Sequence, residues 1–154
     1  MSPSQRRFTP AWRAARLLSA GLTALAVLVG AAQAHEYYAA GLTFVHPWAD
    51  ASALGATDAA VYFELANVRH DDRLISATSR LAERIELRAG DDDAAPPLPA
   101  IEISAADELV FGPDRPHLLL RGLVAPLQWG RSYGMRVVFE KAGALDVQIS
   151  IGAH

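Results

Sequence analysis

The chain has 154 residues, a hydrophobic fraction of 51%, no cysteine and a formal net charge of −3 at pH 7. Without cysteine it forms neither disulfides nor a cysteine-ligated zinc site. The acidic balance disfavours nucleic acid and anionic lipid as partners and favours solubility.

The first 34 residues indicate an export signal. Four arginines within 6–16 precede an apolar run over 17–32. This run is shorter than the roughly 20 residues that a membrane span needs, although an uncleaved anchor is the alternative. Small residues at 32 and 34 are typical of a signal peptidase site. We therefore predict cleavage between Ala34 and His35, a periplasmic location and no stable membrane insertion after cleavage.

Residues 35–154 are predicted to form one domain. They hold all 17 acidic residues of the chain against ten Lys and Arg, so their net charge is near −7. Residues 35–154 are long enough to enclose one modest hydrophobic core. The segment shows no internal repeat, no low-complexity tail and no sign of a second domain.

Short runs of alternating apolar and polar residues recur along this domain with the two-residue period of β-strands. In chain order they are 42–46, 61–66, 73–78, 84–88, 100–104, 108–111, 117–122, 133–140 and 145–151. Turn-forming residues separate them, and 79–83 is compatible with a single helical turn. About nine short strands predict an all-β, antiparallel sandwich or barrel.

Several sequence blocks, in a fixed order, carry a family resemblance. They include His-Pro-Trp at 46–48 and Phe-Glu-Lys-Ala-Gly at 139–143; the full set is 45–49, 60–63, 67, 72–77, 83–87, 97–103, 117–120, 122–123, 126–127, 130 and 138–143. Together they resemble the periplasmic copper chaperones of the PCu(A)C family across essentially all of 35–154. The resemblance implies a Greek-key, cupredoxin-like β-sandwich with copper as its cargo.

The resemblance also implies four copper ligands, of which this chain keeps one. Arg88 and Ala95 stand where the family has its first His and first Met. His117 keeps the second His, and Leu119 replaces the second Met. Cu(I) prefers thioether sulfur and imidazole, so the usual Cu(I) site is expected to be degenerate, with His117 as the retained ligand. Met135 lies inside a predicted strand and is expected to be a core or edge side chain.

His35 is the second metal candidate. Cleavage before it would leave a free α-amine beside its imidazole, two nitrogens that suit Cu(II). The alternative is a frayed, metal-free terminus.

The other histidines and the aspartates are expected to have no metal role. His46 precedes a proline and is expected to be extended, in a corner packed by Trp48. His70 is predicted in a solvated turn, and His154 at a mobile C-terminus. The aspartates at 91–93 lack the ligand spacing of an EF-hand and predict a solvated hairpin tip.

Three functions follow from these features. The sequence contains no nucleophile paired with a base, no phosphate-binding loop and no zinc-protease motif. An enzyme is therefore not expected. The resemblance implies copper binding and delivery to a periplasmic copper-accepting protein or an oxidase assembly factor. The alternatives are a metal-free periplasmic interaction or assembly domain, using the surface around Trp48 or Trp129, and Cu(II) binding through a mature N-terminal His35.

Overall fold

The computed structural model describes residues 35–152, which form ten β-strands and no α-helix. The strands are β1 (Glu36–Ala39), β2 (Leu42–Ala49), β3 (Asp58–Val68), β4 (Asp72–Ser79), β5 (Ala82–Arg88), β6 (Ile101–Ile103), β7 (Ala106–Phe111), β8 (His117–Leu123), β9 (Ser132–Phe139) and β10 (Gly143–Ile151). The predicted export signal and His154 lie outside the described residues. No helix within 35–152 has the length and hydropathy needed to cross a bilayer.

The strands are hydrogen-bonded in the order β5-β8-β3-β2-β10-β9-β4-β6, with β1 paired to β2 and β7 paired to β3. Most neighbours in this order are distant in sequence, as in Greek-key folds. The predicted all-β sandwich is therefore confirmed. One described pair departs from the antiparallel pattern, because β10 runs parallel to β2 at Ser150 and Ile151. Parallel pairing requires a long connection, and strands β3 to β9 lie between these two strands in the sequence.

The longest strand, β3, belongs to two sheets. One edge pairs with β2. The opposite edge pairs with β8 over Asp58–Val61 and with β7 from Phe63 to Val68. Because β8 also pairs with β5, the first half of β3 carries a small sheet of three strands. This small sheet contains three of the four predicted metal-ligand positions.

The core forms where the apolar faces of the strands meet. Val61, Phe63 and Leu65 on β3 are at most 1% exposed. The Phe63 ring stacks on Phe44 at 4.7 Å and on Phe111 at 4.5 Å, a geometry that stabilises beyond the area it buries. Met135 belongs to the same buried cluster, as its position in the strand pattern predicts.

The N-terminal end of the domain is paired, so the expectation of a frayed segment is wrong. Glu36–Ala39 forms β1, which pairs along its length with β2. A two-residue turn joins the strands, and Gly41 supplies the positive φ of +82° that this turn requires. The backbone N–H of Gln148 on β10 donates to the Tyr37 hydroxyl at 2.9 Å. This segment is too short and polar to show the apolar alternation that marks the other strands.

Residues 80 and 81 form a tight turn between two strands, so the expectation of a helical turn over 79–83 is also wrong. Ser79 ends β4 and Ala82 begins β5. The Ser79 hydroxyl accepts the N–H of Leu81 at 3.2 Å and donates to the Gly134 carbonyl at 2.6 Å. A hydroxyl that binds the backbone two residues on favours a turn over a helix. Here the turn carries the chain from the large sheet to the small one.

Candidate metal centre

The pairing of β5 with β8 sets the geometry of the predicted copper positions. Arg88 lies directly opposite His117, and Glu86 lies opposite Leu119. Directly paired residues, and residues two apart on a strand, project from the same face. Positions 88, 117 and 119 therefore share one face of the small sheet.

His117 is a buried histidine with one ring nitrogen engaged. It is 3% exposed. Its Nδ1 donates to the Arg115 carbonyl at 2.8 Å, which leaves Nε2 as the acceptor nitrogen of the neutral ring. The Asp91 carboxylate is 3.9 Å from Nδ1, and the Tyr62 ring packs edge-on at 5.5 Å. His117 is thus held in one orientation by its own turn and by β3.

Arg88 places a buried cation where the resemblance implies a histidine. Its Nη2 donates to the Asp92 carbonyl at 2.6 Å, and its Nη1 lies 3.5 Å from Glu86 Oε2. Glu86 also accepts Arg84 Nε at 3.1 Å and Arg121 Nε at 3.2 Å. Burial raises the pKa of Glu86, but the hydrogen bonds from Arg121 and Arg84 outweigh it and hold that pKa below its usual range.

Ala95 is tied to the same corner through the loop that follows β5. Its N–H donates to the Asp92 carbonyl at 3.1 Å, the carbonyl that also binds Arg88. The adjoining aspartates stabilise this loop, because Asp91 accepts the N–H of Asp114 and Asp92 accepts that of Ala94. The structure therefore brings all four predicted positions to one corner, but only His117 among them has a side chain able to bind copper.

An aromatic row runs from β2 across β3 to the start of β8 beside this corner, and the sequence pattern did not indicate it. The Trp48 ring lies 4.7 Å from Tyr62, which contacts His117. Burial, followed by the charges of Asp91 and Asp50, raises the pKa of the Tyr62 phenol. Tyr62 alternates with the buried Val61 and Phe63, so the sequence pattern assigns it to the opposite, polar face of β3. Its partial burial follows only from the pairing of the strands.

His35 and His46 lie beside each other at a second corner. The His46 N–H donates to the His35 carbonyl at 3.0 Å, which extends the pairing of β1 with β2. The prediction that His46 is extended is wrong: its φ is +46°, at a register shift between Val45 and Trp48. A bulge adds a residue to one strand, and His46 adopts the left-handed conformation at this point of β2.

The two predicted metal candidates are far apart in the sheet order. His35 precedes β1, His117 begins β8, and β2 and β3 lie between those strands. Within residues 35–152, no three His, Cys, Asp or Glu side chains are grouped so as to hold a metal ion. A metal ion at either corner would therefore be held by the donor atoms of that corner alone.

Comparisons with known proteins agree with this architecture. The family profile described as "Putative lipoprotein LpqE-like" matches residues 42–151. The apo PCuAC domain from PmoF1 is 24% identical, with a TM-score of 0.70 over 78% of this chain and 100% of that chain. The copper-bound PCuAC domain from PmoF2 is 26% identical, with a TM-score of 0.67 over 78% and 99%.

The solution structure of CuI-DR1885 from Deinococcus radiodurans is 23% identical, with a TM-score of 0.59 over 79% of this chain and 81% of that chain. No curated protein matches the chain. The likeness to PCuAC domains confirms both the PCu(A)C resemblance and the cupredoxin-like type of the sandwich.

Proposed function

Because the chain belongs to the LpqE-like family and has the fold of PCuAC domains, we propose that it is an exported copper-binding protein that delivers its metal. The acceptor is a periplasmic copper-accepting protein or an oxidase assembly factor, and the working form begins at His35 after signal cleavage. Copper is cargo here, so the protein acts as a carrier and not as a catalyst.

The corner of His117 is a poor place for Cu(I). It supplies one imidazole and no sulfur, whereas Cu(I) prefers soft ligands. The Arg88 guanidinium, only 4% exposed at its side chain, stands directly opposite His117. A copper ion would repel this fixed cation, and burial strengthens the repulsion. We therefore infer that the family's Cu(I) site is degenerate in this chain.

The corner of His35 and His46 supports copper binding better. The observation that supports this assignment is the 3.0 Å hydrogen bond between their backbones, which makes the two histidines neighbours at the end of β1 and β2. The left-handed conformation of His46 costs energy, and such strain is typical of functional sites. The α-amine of His35 would add a third nitrogen after cleavage. Nitrogen ligands suit Cu(II), so Cu(II) is the proposed oxidation state at this corner.

The test uses protein secreted with its own N-terminal segment, with the mature N-terminus verified by mass spectrometry. We expect the protein to bind one Cu(II), with nitrogen hyperfine structure in its electron paramagnetic resonance spectrum. His46→Ala and His35→Ala should each weaken Cu(II) binding at least about tenfold, since each removes one imidazole ligand. Chelator competition measures the affinity.

His70→Ala is the matched control, because His70 is also exposed but lies at the other end of β1 and β2, against Gly41. It should leave Cu(II) affinity unchanged, and so should His117→Ala. If His117→Ala removes copper while His35→Ala has no effect, the metal belongs to the His117 corner and this assignment is wrong.

A metal-free interaction domain is the second candidate function. The observation that favours it is the ion-pair network of Arg88, Glu86 and Arg121, which fills the family's copper corner with satisfied charges. These ion pairs hold the side chains of this corner in place without a bound metal. Failure of the secreted protein to retain either Cu(II) or Cu(I) at micromolar concentration would select this function over copper delivery.

A further inference from the structure

A cleft of about 250 Å³ opens between the loop 50–57 and the first half of β3. It is lined by the Tyr62 ring, by the carboxylates of Asp50 and Asp58, and by five alanines. We call it the Tyr62 cleft. No histidine of the described residues lines it, so it is separate from both candidate metal corners.

The loop that forms one wall of the cleft is held in place by hydrogen bonds. Ser52 N–H donates to the Leu127 carbonyl at 3.1 Å, and the Ser52 hydroxyl accepts the Leu127 N–H at 2.8 Å. Leu127 is 1% exposed and anchors this contact in the core. Leu123 N–H donates to the Thr57 carbonyl at 2.8 Å. The walls are therefore formed before a ligand arrives, so binding loses little conformational entropy.

Carboxylates outnumber cations around the cleft. Asp58 Oδ2 accepts Arg121 Nη1 at 2.7 Å, and the same guanidinium lies 3.2 Å from Glu86 and 3.4 Å from Asp93. Glu86 has other arginine partners, but Asp58 and Asp93 share Arg121 alone. Asp50 is exposed and has no ion-pair partner within the described residues 35–152. A further cation at the cleft is therefore attracted.

The phenol of Tyr62 is subject to the same excess of negative charge. Burial raises its pKa, and the charges of Asp91, Asp50 and Asp114 raise it further. Charges that oppose a phenolate attract a cation at the same place. An aromatic ring adds an attraction of its own for ammonium and guanidinium groups.

We propose that the Tyr62 cleft binds an arginine side chain of a partner protein, with the guanidinium at Asp50 and the alkyl stem against the alanines. A planar guanidinium pairs with a carboxylate and stacks on a ring, which a lysine ammonium does less well. The stem of a long cationic side chain packs on apolar surface while its head stays at the charge. Leu54, in the wall loop, is 91% exposed, so a polypeptide that extends past the cleft can cover it, whereas a free amine cannot.

The test uses the secreted protein, labelled with ¹⁵N and stripped of metal with a chelator, so its outcome does not depend on copper. It is titrated with a capped Gly-Leu-Arg-Leu-Gly peptide and with the same peptide carrying citrulline in place of arginine. Citrulline keeps the shape of arginine but is neutral. We expect the arginine peptide to bind at least about tenfold more tightly, because its hydrogen bonds to Asp50 are charge-assisted. Amide chemical shifts should move in the loop 50–57 and at the start of β3.

Asp50→Asn should reduce the affinity for the arginine peptide about tenfold and leave that for the citrulline peptide unchanged. Tyr62→Leu should reduce it about fivefold, whereas Tyr62→Phe keeps the ring and should bind as wild type does. Asp107→Asn is the matched control, since Asp107 is also exposed but lies on β7. It should leave the affinity unchanged. Circular dichroism confirms that each variant is folded.

Three outcomes would overturn the proposal. In the first, the citrulline peptide binds as tightly as the arginine peptide. In the second, Asp107→Asn weakens binding as much as Asp50→Asn does, which would indicate a diffuse attraction to an acidic domain. In the third, butane-1,4-diamine binds more tightly than the arginine peptide, which would assign the cleft to a free amine.

Discussion

Replacing Asp72 with alanine is expected to lower the free energy of unfolding by about 3 kcal/mol, because a buried carboxylate then no longer satisfies three backbone donors. Asp72 is 3% exposed at the start of β4. Its oxygens accept the N–H groups of Arg73 at 2.7 Å, Lys141 at 2.9 Å and Ala142 at 2.9 Å. It thereby fixes the turn between β9 and β10. Urea denaturation should show a lower midpoint at unchanged m-value.

The Asp72 carboxylate also makes the free energy of unfolding depend on pH. Burial raises the pKa of Asp72, but the three N–H donors outweigh it, so the folded-state pKa lies below the usual value. A lowered pKa contributes stability above the unfolded-state value of about 4, and this contribution is lost as the pH falls through the folded-state pKa. The stability difference between wild type and Asp72→Asn should therefore be full at pH 7 and shrink below about pH 4.

Asp107→Ala, on the exposed face of β7, is the control and should change stability by less than about 0.5 kcal/mol. A difference between wild type and Asp72→Asn that persists unchanged into acid would mean that packing, and not the charged carboxylate, makes Asp72 important.

The alternation of apolar residues was enough to predict most of the fold. Val61, Phe63 and Leu65 occupy one phase of a strand and are all buried, as that pattern requires. The apolar alternation did not predict the structure correctly where a side chain binds the backbone or a neighbouring strand. Ser79 stabilises a turn through its hydroxyl, and Tyr37 fixes β1 through its contact with β10, neither of which alternation reveals.

The candidate site was predicted in part. Family resemblance, and not periodicity, indicated that 88 and 117 belong together, and the strand register places them directly opposite each other. The loss of sulfur was visible in the sequence. The ion pairs of Arg88 and the left-handed His46 were not, because both depend on which strands become neighbours.

The pairing of β5 with β8 suggests that the family's Cu(I) site can be rebuilt. His117 already offers one imidazole, and Arg88 opposite it is the natural place for a second. Leu119 lies on the same face, and Ala95 is held nearby through the Asp92 carbonyl. Methionine at these two positions supplies the soft sulfur that Cu(I) prefers. Removing Arg88 leaves Glu86 paired with Arg84 and Arg121, so that carboxylate keeps cationic partners.

Combining Arg88→His, Ala95→Met and Leu119→Met is therefore expected to raise the affinity for Cu(I) at least about a hundredfold over wild type, because three ligands replace one cation and two apolar groups. Competition with a colorimetric Cu(I) chelator measures the gain. Arg88→His alone should gain less than about tenfold, since it adds no sulfur. Adding His117→Ala to the triple variant should remove most of the gain. A triple variant that folds normally yet binds no more Cu(I) than wild type would show that these four positions do not converge on one ion.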